Sequence, residues 1–180
     1  QGALYSTYYE DILYIYPPEM YVSEVEGVHY TREFLLEADP IALDIPSFIE
    51  KFEQDNHITF GDAQKEAIQL SFFEKFSLIT GGPGTGKTTI IKALVKGFQL
   101  GGLGRIILCA PTGRAAKRLT EATEFEATTI HRLLVPVQGS DSYDFTKNED
   151  DPLVIDVIII DEASMLNVRL FYSLMAAIPK

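Results

Sequence analysis

The sequence predicts an α/β fold in which a parallel sheet is flanked by helices and preceded by a short acidic segment. Three observations carry that expectation. From Phe60 onward, short β-branched runs alternate with helical patterns, the rhythm of strand–helix–strand units. A glycine-rich stretch, Gly81 to Gly86, falls between one such run and one such helix. Charge is also divided: residues 1–60 hold twelve acids against two bases, whereas residues 61–180 hold fourteen against thirteen.

The elements follow in order. Residues 1–57, with Tyr5, Tyr8, Tyr9, Tyr14, Tyr16, Tyr21 and Tyr30, read as an accessory segment with helix-like stretches at 19–38 and 47–55, separated by Pro40 and Pro46. Residues 58–180 read as the main α/β unit: helix 62–74, strand 76–80, loop 81–86, helix 87–99, strand 105–109, helix 113–123, short helix 128–134, strand 154–160 and helix 164–177. The stretch 136–152, with Gly139, Ser140, Asp141, Ser142 and Glu149-Asp150-Asp151, has the composition of a surface loop.

Composition bounds the class. The 180 residues, 46% hydrophobic and 23% charged, suffice for a buried core and one domain with an appendage. No uncharged apolar run approaches the roughly 18 residues of a membrane helix. The single cysteine, Cys109, lies in the apolar run Ile106 to Ala110, which suits a buried thiol and a cytoplasmic setting. The opening Gln1-Gly2-Ala3 has neither an initiator Met nor a charged-then-apolar leader, and reads as a piece excised from a longer chain.

Gly81-Gly82-Pro83-Gly84-Thr85-Gly86-Lys87-Thr88 fits G-x-x-x-x-G-K-[ST] between a predicted strand and a predicted helix. Such a loop wraps so tightly that its N–H groups converge on phosphates, where a Cβ would collide. Lys87 is expected to place its ammonium at the β- and γ-phosphates, and Thr88 to offer a hydroxyl to Mg²⁺. The helix beginning at Lys87 adds its positive end to that anion site. Four β-branched residues before Asp161-Glu162 predict a fully buried central strand that delivers both carboxylates to the ligand edge of the sheet. Asp161 would then hold Mg²⁺ through its water shell, and Glu162 would orient and deprotonate the attacking water. No N-K-x-D guanine-reading pattern is present, which argues against a GTPase.

Residues 77–132 carry eight bases against three acids, so the acidic total of −11 does not exclude a polyanion. After strand 105–109, Thr112 is a suitable helix cap. Arg114, Lys117 and Arg118 share one face, opposite Ala115, Leu119 and Ala122. A solvated basic face and a grip on nucleic-acid phosphates both fit this geometry.

The ordered set Gln64-Lys65-Glu66-Ala67-Ile68, Thr80 to Thr89, Ala110-Pro111-Thr112-Gly113-Arg114-Ala115-Ala116-Lys117-Arg118-Leu119, Thr129-Ile130-His131-Arg132-Leu133-Leu134 and Asp161-Glu162-Ala163-Ser164-Met165 resembles the first motor domain of RecD-like (RecD/TraA) superfamily 1 DNA helicases. The likeness covers residues 60 to 180. It implies a P-loop NTPase domain of the RecA-like fold that uses ATP and Mg²⁺. In such helicases two RecA-like domains step 5′ to 3′ along single-stranded DNA and unwind duplex DNA in recombination and repair.

Carried over by position, the resemblance implies that Gln64 reads the adenine edge, with Gly82, Gly84, Thr85, Gly86, Lys87, Thr88 and Thr89 around the nucleotide. Pro111, Thr112, Gly113 and Arg114 would contact the DNA backbone, and Thr129 and His131 would form the next DNA-facing stretch. It further implies a second RecA-like domain of the same parent chain and a nuclease or repair-complex partner, with no membrane. The 180 residues stop before the strand expected to carry the family's next motif, and include no second motor domain with its arginines. Missing arginine fingers lower rates by about 10³ to 10⁵, so the chain alone is expected to bind ATP·Mg²⁺ weakly and hydrolyse it slowly. The alternative is a P-loop ATPase module whose Tyr-rich start docks a protein partner rather than DNA.

Overall fold

The computed structural model describes residues 4–35, 41–139 and 143–179. Two strands, β1 (Tyr5–Tyr9) and β2 (Ile12–Tyr16), pair antiparallel with Tyr5 opposite Tyr16 and Tyr9 opposite Ile12. The two-residue turn Glu10-Asp11 has φ of 48° and 62°, the left-handed pair whose twist matches a tight hairpin. The expected accessory segment did not include this hairpin. Aromatic and β-branched residues flanking a two-residue acidic turn are the signal that finds it.

Two helices follow, α1 (Pro18–Glu33) and α2 (Ile45–Asn56). The helix expected over 19–38 ends early because Phe34 and Leu35 donate to the carbonyls of Thr31 and Arg32, closing the last turn tightly. Residues 36–38 of that expectation lie outside the described residues. Asp44 caps α2 by accepting from the Ser47 backbone N–H.

The main unit contains α3 (Asp62–Phe73), α4 (Lys87–Leu100), β3 (Ile106–Ala110), α5 (Gly113–Thr123), β4 (Ala127–Thr129), α6 (Ile130–Leu134), β5 (Val157–Ile160) and α7 (Val168–Ala177). Its sheet is parallel, in the order β4-β3-β5, and helices cover both faces. Alternation along β5 shows how: Val157 and Ile159 pack toward α2, α3 and α4, whereas Ile158 and Ile160 pack toward α6 and α7. On the first face, Phe72 stands edge-on to Phe98 (4.8 Å) and Phe48 (6.0 Å), and Phe52 stacks on Phe60 (5.8 Å). On the second, Cys109, Ile130, Leu134, Leu170 and Leu174 are buried. No described helix is long and apolar enough to cross a membrane.

Four expectations need correction. The strand expected over 76–80 does not form: those residues make no ladder among the described residues, and Leu78 is 72% exposed. A strand needs a neighbour's backbone groups, and among the described residues β5 pairs with β3 alone. For the same reason β5 is half-buried at an edge rather than a fully buried central strand. The helix expected over 128–134 starts only at Ile130: Thr128 and Thr129 continue the sheet with Ala127, because Leu108, Cys109 and Ala110 offer them a parallel partner. The last helix is interrupted: a 3-10 turn at Ala163–Met165 precedes α7, and the Asn167 side chain caps α7 by accepting from Leu170 N–H at 2.9 Å.

Helix α1 lies against α7. Gly27 meets the Phe171 ring, Tyr30 is buried against Tyr172 at 6.1 Å between centroids, and the Tyr30 hydroxyl donates to Glu149 at 2.9 Å. Burial first, and then that carboxylate, pushes the Tyr30 phenol up to about 12. The expected surface loop 136–152 is held at its base: Val137 donates to Asp144, and Thr146 donates to Val135. Ser140, Asp141 and Ser142 lie outside the described residues.

At the opposite end of the sheet, Asp156 joins β5 to β3. Its carboxylate accepts from the Gly104 and Arg105 backbone N–H groups (3.1 and 2.9 Å) and pairs with the Arg105 guanidinium. The Arg105 side chain first, and its backbone N–H second, hold the carboxyl at about 2.

Two outcomes follow from this packing. Phe72→Ala should lower stability by about 3–5 kcal/mol, read as a lower urea midpoint at unchanged slope, because it empties the centre of an aromatic cluster. Since Asp156 titrates lower when folded than the usual value of about 4, its contribution is complete above about pH 4 and fades as pH falls toward about 2. Wild type and Asp156→Asn should therefore converge in urea midpoint near pH 2 and separate above pH 4, with wild type the more stable.

Candidate functional site

The glycine-rich loop closes around its own lysine. Lys87 donates from Nζ to the carbonyls of Gly81 (2.7 Å) and Gly82 (2.8 Å), and the Thr85 hydroxyl donates to Gly82 (2.9 Å). The ammonium thus sits in the curl of the loop, where an anion would meet it. Gly84 and Gly86 have φ of 75° and 80°, so side chains there would be strained. Gly86 is also the cap of α4, and Thr88 and Thr89 are half-buried in its first turn. Behind them Ile90, Ile91 and Leu94 are buried, which fixes the helix end that faces the loop.

Gln64 is engaged at both ends of its amide. Its Oε1 accepts from Gly61 N–H (2.8 Å) and its Nε2 donates to the Thr85 carbonyl (2.9 Å). The start of α3 is thereby tied to the glycine loop. A Cβ on Gly86 would collide with that amide.

Register sets the second half of the site. Ala110 is opposite Thr129 and Cys109 is opposite Ile160, so the parallel strands deliver Pro111, Ile130 and Asp161 to one sheet edge. Asp161 N–H donates to the Cys109 carbonyl (2.9 Å), one ladder step beyond β5. The Asp161 carboxylate accepts from Glu162 N–H (2.9 Å), and Glu162 has φ of 54° and is exposed. This left-handed residue turns the chain sharply away from the strand, leaving its carboxylate in solvent. Cys109 itself is fully buried, and burial pushes its thiol up to about 12. Its place is in the packing of the second face.

The predicted backbone-binding residues line the same edge. Thr112 caps α5 by accepting from Ala115 N–H (3.2 Å), so its hydroxyl holds the helix start while Gly113 and Arg114 stand exposed. Lys117 and Arg118 are also exposed, and Lys117 pairs with Glu121 at 3.8 Å. Thr129 caps α6 in the same manner, accepting from Arg132 N–H at 3.2 Å. His131 is half-buried, edge-on to Phe145 (5.7 Å) and beside Tyr143 (6.4 Å). Nothing in the local sequence pattern marks Tyr143, because its partners lie in distant elements.

The donor set fits a nucleoside triphosphate with a hard cation. The glycine loop and helix end offer N–H groups, Lys87 a positive charge, and Thr88 and Asp161 hydroxyl and carboxylate oxygens of the kind Mg²⁺ takes.

Comparison with known proteins adds the family. Residues 64–180 match the AAA domain family. The chain is 46% identical over 102 residues to the "ATP-dependent RecD2 DNA helicase" of Deinococcus radiodurans, covering 57% of this chain and 14% of the relative. It is 35% identical over 139 residues to the "RecBCD enzyme subunit RecD" of Mycolicibacterium smegmatis, covering 65% and 25%. It is 41% identical over 105 residues to the "ATP-dependent DNA helicase dda" of Enterobacteria phage T4, covering 56% and 24%. The chain spans a quarter or less of the length of these relatives.

Proposed function

We propose a function from one premise: the chain belongs to the AAA domain family. Residues 58–180 are then the leading part of the first RecA-like ATPase domain of a RecD-like DNA helicase, and residues 1–57 are its accessory segment. The parent protein moves 5′ to 3′ on single-stranded DNA and unwinds duplex DNA in recombination and repair in the cytoplasm. It works with a second RecA-like domain and with a nuclease or repair-complex partner. The observation that carries the reading is the Lys87 ammonium in the curl of a glycine loop at the start of α4.

Each residue has a task in this reading. Lys87 exchanges the Gly81 and Gly82 carbonyls for the β- and γ-phosphates of ATP, while Gly82, Gly84, Thr85 and Gly86 present backbone N–H groups. Gln64 can donate and accept at the adenine edge once it releases Thr85 and Gly61. Thr88 and Asp161 would hold Mg²⁺, which when bound neutralises charge across the phosphates; Thr89 supports the first turn. Glu162, solvent-exposed beside Asp161, accepts the proton of the attacking water. Pro111, Thr112, Gly113 and Arg114, with Thr129 and His131, face the DNA backbone.

A second reading is favoured by the hairpin. Tyr5, Tyr8, Tyr9, Ile12 and Ile15 are 45–72% exposed, which suits a protein-docking module driven by ATP.

Nucleotide titration tests the first reading. Lys87→Ala should weaken binding of a fluorescent ATP analogue with Mg²⁺ by about 10- to 100-fold, the range for losing a charged hydrogen bond. Glu162→Gln should leave that affinity intact and lower the slow turnover of the purified chain; robust DNA-stimulated turnover by wild type would overturn the expectation of weak activity.

Salt dependence separates DNA from a protein partner. If Arg114, Lys117 and Arg118 each meet a phosphate, the log–log slope of single-stranded DNA affinity should be about −2, a loss on the order of twentyfold between 50 and 200 mM salt. Absence of binding at low salt would favour the docking reading.

A further inference from the structure

Beyond the motifs, one side chain bridges the turn after Glu162 and the start of α6. The Tyr143 ring carries the Arg169 guanidinium on its face, 4.3 Å from the centroid, and its hydroxyl accepts from Asn167 Nδ2 at 2.7 Å. Asn167 is the cap of α7, and Arg169 sits in the first turn of that helix, just beyond the Glu162 bend and the 3-10 turn. Toward the other side, the same ring neighbours His131 at 6.4 Å, while Phe145 stands edge-on to that imidazole. His131 is the second residue of α6, one position past Ile130, which is fully buried. Arg169 also reaches Glu19 of α1 at 3.6 Å, so its guanidinium is oriented from two sides.

We propose that Tyr143 is a positioning residue that couples the start of α7, and with it the Asp161–Glu162 turn, to the orientation of His131. The inference rests on the DNA-facing role given to His131. The Tyr143 ring is held by cation–π and hydrogen-bond contacts from α7 and packs beside an imidazole on α6. A displacement of the α7 start therefore moves the wall against which His131 rests. Tyr143 touches neither nucleotide nor reacting atoms in this scheme; its effect passes through His131.

The test uses the whole chain. His131 is one of three histidines, so its imidazole resonances can be assigned by comparison with His131→Gln. Tyr143→Leu and Arg169→Gln should shift those resonances and weaken binding of a fluorescent oligothymidylate by about three- to tenfold, the scale of lost aromatic and cation–π contacts. Affinity for the ATP analogue and the thermal midpoint of Arg169→Gln should stay near wild type. Tyr143→Phe, which keeps the ring and its cation–π contact but loses the Asn167 hydrogen bond, should shift the His131 resonances less than Tyr143→Leu and keep most of the affinity. Unchanged His131 resonances in Tyr143→Leu and Arg169→Gln would overturn the proposal, as would shifted resonances with full oligothymidylate affinity while His131→Gln loses it. If His131→Gln itself binds the oligothymidylate like wild type, the functional reading of His131 falls, and the role of Tyr143 in DNA binding falls with it.

Discussion

The parallel register of β3 with both neighbours is the constraint on which the site depends. Three segments far apart in sequence end their strands at one level because Ala110 pairs with Thr129 and Cys109 with Ile160. A one-residue slip would exchange the two faces of β5 and bring Ile158 and Ile160 to the side of α4. The apolar partition opposes such a slip: Val157 and Ile159 meet one cluster, Ile158 and Ile160 the other. Asp156 reinforces this register by holding the Gly104 and Arg105 N–H groups where β5 begins. The edge that carries Asp161 and Glu162 thus inherits its geometry from packing at the middle of the sheet and an ion pair at the near edge.

The glycine loop obeys a different economy. Its curvature leaves carbonyls pointing inward, and Lys87 satisfies two of them. An ammonium so held is placed, but its partners are neutral oxygens, so a phosphate would be a stronger acceptor. Gln64 adds a second tether through Thr85. The loop is pre-shaped by contacts that a triphosphate can replace, while the buried residues of α4 keep the helix end in place.

How much of this was legible in the sequence varies with the cause. The α/β class, α5, and the placement of Asp161-Glu162 at a strand end follow from periodicity and the glycine motif, which are local signals. Long-range pairing is not local. Residues 76–80 have a strand-like pattern yet lack a ladder partner among the described residues, and Thr128 and Thr129 read as the start of a helix although β3 supplies them one. The 3-10 turn before α7 depended on the Glu162 bend and the Asn167 cap, and the cap was visible in principle. The motif residues could be named from spacing, but their present partners could not: Gln64 on Thr85, Thr112 and Thr129 as caps, and the Tyr143 ring beside His131.

The acidic start of the chain is tied to this site through packing rather than through any motif. A two-stranded hairpin is marginal alone in water, and most of the large side chains of β1 and β2 stay exposed. The anchoring falls to α1, whose buried Gly27 and Tyr30 face α7. Gly27 permits the close approach to Phe171, and Tyr30 reaches across to Glu149. The same helix α7 is capped by Asn167 just after the Glu162 turn and presents Arg169 to both Glu19 and Tyr143. Helix α7 thus takes the packing of α1 on one side and begins, at its Asn167 cap, five residues after the Glu162 turn.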